Sequence, residues 1–323
     1  VESSSGRVDI STPNAGAVGV SGELRLYSGT SSGGNSGRLS LLSGEAPTGA
    51  GGEIVMTVGS GGGGDGGGVR ITAGETTDEA SAGGDIFLLA GEGSNPYSID
   101  GGDGGSLNLL AGASQGGSPF DAGGDVNIQA GFARRGMGGA VDLTSGYSEG
   151  GSSGSVLIQS ANAGDDGTSG SLDLRTGTSS QGNTGSIGLS TGDSATGKAG
   201  GISLSIGQSG SGKGTDLVLA AGDTTDSARG GSAYLRSGAS SLTSSGNVEL
   251  STANAGRAGN SGFFFARTGA SDSGASGALV FASGDASGGR AGKVTIAVGE
   301  SHDPAGGNAE FLAGSTTARG GSD

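Results

Sequence analysis

Ser171-Leu172-Asp173-Leu174-Arg175-Thr176-Gly177 is the plainest copy of a unit that recurs twenty times along this chain. Leu172, Leu174 and Thr176 fall on one side of an extended backbone, Asp173 and Arg175 on the other, the period-two pattern of a half-buried strand. A loop rich in Gly and Ser, here Gly177 to Gly185, follows each such segment. The first inward-type residues run Val8, Leu24, Leu39, Ile54, Val69, Ile86, Leu107, Val126, Val141, Val156, then Leu172, Ile187, Ile202, Leu217, Ala233, Val248, Phe264, Leu279, Val294 and Ala309. The usual step is 15 or 16 residues, and only three steps are longer. A unit this small cannot bury its own apolar face, so a short strict period implies one supersecondary unit stacked many times.

The third inward position is small or β-branched in most units, as at Ser28, Ala73, Ala90, Ala130, Thr191, Ser283 and Ala313, with Val58, Ile206 and Val298 as larger exceptions. A narrowing segment end suits a corner where walls converge. A longer period overlies the first. Strand starts from 156 to 217 recur at a shift of 92 residues, and loop text returns with them: Ala161-Asn162-Ala163-Gly164 as Ala253-Asn254-Ala255-Gly256. Loops of the first half match the same classes at a displacement of nine units instead of six. Both numbers divide by three, which favours three units per coil over one. The expectation is an all-β fold, a parallel β-solenoid (β-helix) of about twenty strand-loop units with three to the coil, spanning ~32 Å at ~4.8 Å per coil. One unit per coil would give ~96 Å, and an antiparallel meander is disfavoured because the loops are too long for tight hairpins.

Residues 1–323 read as a single array, with the clearest duplication in 148–323 and expanded loops at 91–105 and 112–124. The opening at Val1 and the stop at Asp323, where another strand should begin, suggest a segment of a longer chain. Glycine supplies 78 residues but not every third position, which excludes collagen. No apolar run approaches the ~18 residues of a membrane span, so membrane insertion is not expected. The net charge of −15 disfavours nucleic acid, whose phosphates need a basic surface. Cysteine is absent, so neither disulfides nor thiolate metal sites brace the fold. Asn residues lie outside N-glycan acceptor sequences, leaving loop Ser and Thr as the places for O-linked sugar.

Catalysis finds little support. His302 is the single histidine and sits in a loop, Ser301-His302-Asp303-Pro304; general-base and triad chemistry would need it placed beside partners. The carboxylates show no recurring spaced pair of the kind a glycosidase fixes across a cleft. Ser209-Gly210-Ser211-Gly212-Lys213-Gly214 lacks the spacing and following helix of a phosphate loop. No cofactor is expected. Calcium is the weighed exception, with Asp100, Asp103, Asp165 and Asp166 as candidates, though the nine-residue calcium repeat and the EF-hand pattern are both missing.

The loops Ser28-Gly29-Thr30-Ser31-Ser32-Gly33-Gly34-Asn35-Ser36-Gly37 and Thr191-Gly192-Asp193-Ser194-Ala195-Thr196-Gly197-Lys198-Ala199-Gly200-Gly201 resemble those of long Gly/Ser/Thr-rich tandem-repeat proteins of diatoms, oomycetes and related heterokont protists. The resemblance covers nearly the whole chain except the expanded region. It implies a secreted surface, wall, adhesive or flagellar-hair component, and it supplies no catalytic residues.

Contact residues are sought in two places. The expanded loops bring Tyr97, Asp100 and Phe120, because solenoid insertions gather on one face and often make the contacts. The outward strand positions bring Phe87, Tyr234, Phe263 and Phe265, whose clustering would mean lateral packing. Arg25, Arg70, Arg175 and Arg267 lie at outward positions in units of one class modulo three and would share a face open to anionic polysaccharide. Ice binding is disfavoured because the outward positions show no repeated Thr-x-Thr. The expectation is a non-enzymatic extracellular rod that associates with copies of itself or related repeats in a fibre, wall layer or appendage; the alternative is an adhesin-like solenoid that binds polysaccharide or other glycans through the expanded loops.

Overall fold

The computed structural model describes residues 5–95, 101–302 and 304–315. It divides into two units, Val1–Leu172 and Asp173–Asp323. Within each, the alternating segments run extended. In an extended chain residues i and i+2 share a face, and the side chains pair in that way. Arg7 reaches Asp9 and Arg25 reaches Glu23, each at 2.7 Å, and Arg175 reaches Asp173 at 2.6 Å. Arg70 donates to the Thr72 hydroxyl at 3.3 Å. Exposure alternates as well: Ile86 and Leu88 are 52% and 59% exposed, while Phe87 and Leu89 between and beyond them are 77% and 83% exposed.

The segments form no ladder among the described residues. Among the described residues there is no helix and no β-strand, which overturns the expected all-β solenoid and with it the three-unit coil. No described residue is buried, and the chain exposes 32601 Å². A compact protein of 30.1 kDa would expose ~11,700 Å² and a fully unfolded one ~43,600 Å². The physical reason lies in what alternation encodes. A period of two decides which way each side chain points, but a ladder needs a second segment held alongside in register. Here the connecting loops fold back on themselves and use their polar groups locally. Glycine-rich connections also lose the most backbone entropy on ordering, and a segment with two or three apolar side chains offers little burial to offset it.

The loops hold the organised part of the structure. Seven are closed at the base by a single backbone bond from the Gly two residues before the next first inward residue. The Gly84 N–H donates to the Gly74 carbonyl at 2.9 Å, Gly105 to Gly91 at 2.8 Å, Gly124 to Gly112 at 2.9 Å and Gly139 to Gly131 at 3.0 Å. Gly154 to Gly146, Gly231 to Gly222 and Gly246 to Gly238 repeat the arrangement. Where the base approaches, the third inward side chain packs against the same glycine. Most such contacts are ordinary, as between Gly37 and the Ser28 Cβ at 3.4 Å from an added methyl. At Gly67 and Gly307 a Cβ would stand 2.8 Å from a Cγ1 of Val58 and Val298, so only glycine fits there without a shift. Thr12, Ala73, Ala130, Ser145 and Ser237, all at the third inward position, are among the few half-buried residues.

Inside the loops, serine hydroxyls accept backbone N–H groups three residues on. Gly34 donates to Ser31, Gly182 to Ser179, Gly197 to Ser194 and Gly274 to Ser271 at 2.9–3.0 Å. Ser31, Ser179 and Ser271 stand at matching places in loops of like text. Thr76 and Thr224, also in matching loops, accept from Asp78 and Asp226 at 3.2 Å. These are local side-chain-to-backbone turns, which compete with ladder formation for the same groups. Gly64, Gly102 and Gly212 take positive φ, a conformation that side chains rarely adopt.

Candidate functional site

The outward face of the extended segments carries the charged and aromatic side chains that could meet a partner. Three of its arginines are satisfied at short range. Arg7, Arg25 and Arg175 each pair a carboxylate two residues away on the same segment. Exposed pairs of this kind contribute little to stability, but they leave no net local charge. Arg70 has a hydroxyl in that place. Of the four arginines expected on one common face, Arg25 and Arg175 are therefore neutralised by their own neighbours.

Arg267 differs. The position two before it holds Phe265 instead of an acid, and the guanidinium lies over that ring at 5.8 Å from its centroid. A cation over an aromatic face is attracted to the ring quadrupole, by ~0.5–1 kcal/mol at exposed sites. Phe265 and Arg267 line a shallow hollow of about 360 Å³. Phe263, one outward step further back, is 93% exposed. The run Phe263-Phe264-Phe265-Ala266-Arg267 thus sets two rings and one guanidinium on one face, with Phe264 turned to the inward side.

A second hollow, about 490 Å³, is lined by Phe264, Phe281, Val294, Thr295, Ile296 and Ala297. Phe264, Phe281, Val294 and Ile296 are inward-type positions of three successive units, and Thr295 and Ala297 are outward ones. A third, about 390 Å³, lies between Leu235 and Val248 with Arg236 at its edge.

The remaining expected contact residues differ in their settings. Tyr97 and Asp100 lie outside the described residues. Phe120 projects from a turn in which Asp121 donates to the Ser118 carbonyl at 3.0 Å and accepts the Ser118 N–H at 2.9 Å, so it is displayed but not enclosed. Phe87 and Tyr234 stand exposed on separate segments. Among the described residues no three His, Asp or Glu side chains gather so as to hold a metal ion. Asp165 and Asp166 occupy the turn closed by Gly167 on Gly164 at 3.3 Å. His302 lies in a bend.

Sequence reading missed the base glycine. The signal was present: Gly stands two residues before the first inward residue in every unit except that of Leu217, where Thr215 stands. Its packing against the third inward residue links the two ends of each loop. Comparison with family models, with characterised proteins and with solved structures found no match for this chain.

Proposed function

We propose that this chain is a non-catalytic structural protein of the cell exterior whose apolar faces are covered by joining other copies of itself or of related repeats. One observation carries the reading: inward-type Leu, Ile, Val and Phe side chains remain exposed in unit after unit. Exposed apolar area on this scale drives association. The partner that best matches a face repeating every 15 or 16 residues is another chain with the same repeat, since many weak contacts at one spacing add as avidity. The ladders that would have stiffened a solenoid are missing among the described residues, so cohesion in this proposal comes from lateral apolar contact. The exterior location rests on the resemblance of the loops to wall and appendage proteins.

The test is a concentration series of the whole chain by analytical ultracentrifugation, with electron microscopy of the same samples. The expected outcome is assembly that grows with concentration and with salt, because added ions screen the repulsion between chains of charge −15. A single monomeric species at every concentration and salt level would defeat the proposal.

A further inference from the structure

We propose that Phe263, Phe265 and Arg267 form a subsite for a carboxylated sugar, a hexuronate unit within an acidic polysaccharide. The site is independent of self-association, since it uses the outward face of one segment. Its starting point is a contrast. Arg7, Arg25 and Arg175 spend their charge on a carboxylate of their own segment. Arg267 has an aromatic ring in that place, and no ion pair or hydrogen bond engages it among the described residues. A guanidinium presents several N–H donors in a planar fork and takes a carboxylate with two parallel bonds. Phe265 lies beneath the guanidinium, 5.8 Å from ring centroid to Cζ, and favours that placement modestly. Phe263 offers an open ring face one outward step away, suited to the C–H face of a sugar ring.

The chemistry narrows the ligand. A neutral sugar would use the ring and leave the guanidinium idle. A phosphate dianion on a chain of charge −15 would call for more than one cation. A single arginine beside an apolar platform matches one negative charge attached to one pyranose. The hollow of about 360 Å³ lies over the guanidinium and the Phe265 ring, where the acidic end of such a unit would rest.

Binding of trigalacturonate to the full chain can be followed by isothermal titration and by saturation transfer to the sugar protons. Its methyl ester, which keeps the rings and removes the charge, serves as comparison. The expected results are weak millimolar binding of the acid, a loss of about fivefold or more with the ester, and a similar loss with Arg267→Ala. Phe263→Ala should weaken binding and diminish transfer from aromatic protons, whereas Phe265→Trp should maintain it. Arg175→Ala, which removes a guanidinium already paired to Asp173, should change nothing. The proposal is overturned if acid and ester bind alike, if Arg267→Ala matches the parent chain, if acetate competes as well as the sugar, or if no binding is seen at about 10 mM. Sedimentation of the same variants separates this from self-association, because Arg267→Ala is expected to assemble normally.

Discussion

The loop from Ser179 to Gly182 and the segment from Leu172 to Arg175 are neighbours in sequence, yet they meet their needs differently. The loop closes on itself, with the Gly182 N–H on the Ser179 hydroxyl at 2.9 Å. The segment makes its polar contact along its own length, Arg175 to Asp173, and leaves Leu172 and Leu174 exposed. Polar groups among the described residues find partners on their own segment or across one loop, whereas apolar groups stay exposed even where inward-type residues of successive units line a common hollow. Local hydrogen bonding therefore shapes the monomer, and apolar contact is left for assembly.

The sharpest way to break that comparison is to remove the apolar side. Replacing Leu172, Leu174, Ile187 and Leu189 by Ser together should reduce assembly by an order of magnitude or more in sedimentation, with little change in the monomer's hydrodynamic radius. If assembly persists, association runs through the loops. A smaller effect is expected at the loop base. Gly67→Ala places a methyl 2.8 Å from the Val58 Cγ1, whereas Gly52→Ala meets the Ser43 Cβ at 3.4 Å. The first should push the Val58 side chain away from the loop base and the second should leave the Ser43 contact as it is, as read from chemical shifts in the two loops. Adding Val58→Ala to Gly67→Ala should restore the close approach.

Smaller again is the loss of a serine turn. Ser194→Ala removes the acceptor for the Gly197 N–H, a bond worth about 1 kcal/mol at most. Exchange at the Gly197 amide should quicken by no more than a few fold, and assembly should be unchanged. Smallest of all is the effect of ~1 M salt on the Asp173–Arg175 pair. Screening should loosen it without altering the extended segment, as three-bond couplings across Leu174 would report.

Much of the local structure was legible in the sequence. The alternation at Ile86 to Leu89 names which side chains share a face, and exposure follows that division. The fold was not legible, and the reason is physical. Leu172 and Leu174 would look the same in a ladder, a hairpin or an unpaired extended segment, because alternation constrains one backbone and not its neighbour. The candidate site was legible as residues but not as a relation. Phe265 and Arg267 both stood out as outward positions, yet their stacking became visible only when Arg25 and Arg175 were seen to take an acid in the corresponding place. The base glycine was legible from spacing alone, but its meaning required the contact with residues such as Ala73 and Val58.

The closed loop base has an engineering consequence. The bond from Gly139 to Gly131 encloses a short loop, and the bond from Gly105 to Gly91 a much longer one, with nearly the same geometry. Lengthening a closure from 8 to 14 residues costs only ~0.5 kcal/mol of chain entropy, so the base is indifferent to its cargo. Foreign peptides grafted between Gly91 and Gly105 would be carried as pendants, leaving the flanking Leu88 and Leu107 as they are. A chain built this way acquires new surface text by insertion, without renegotiating the segments on either side.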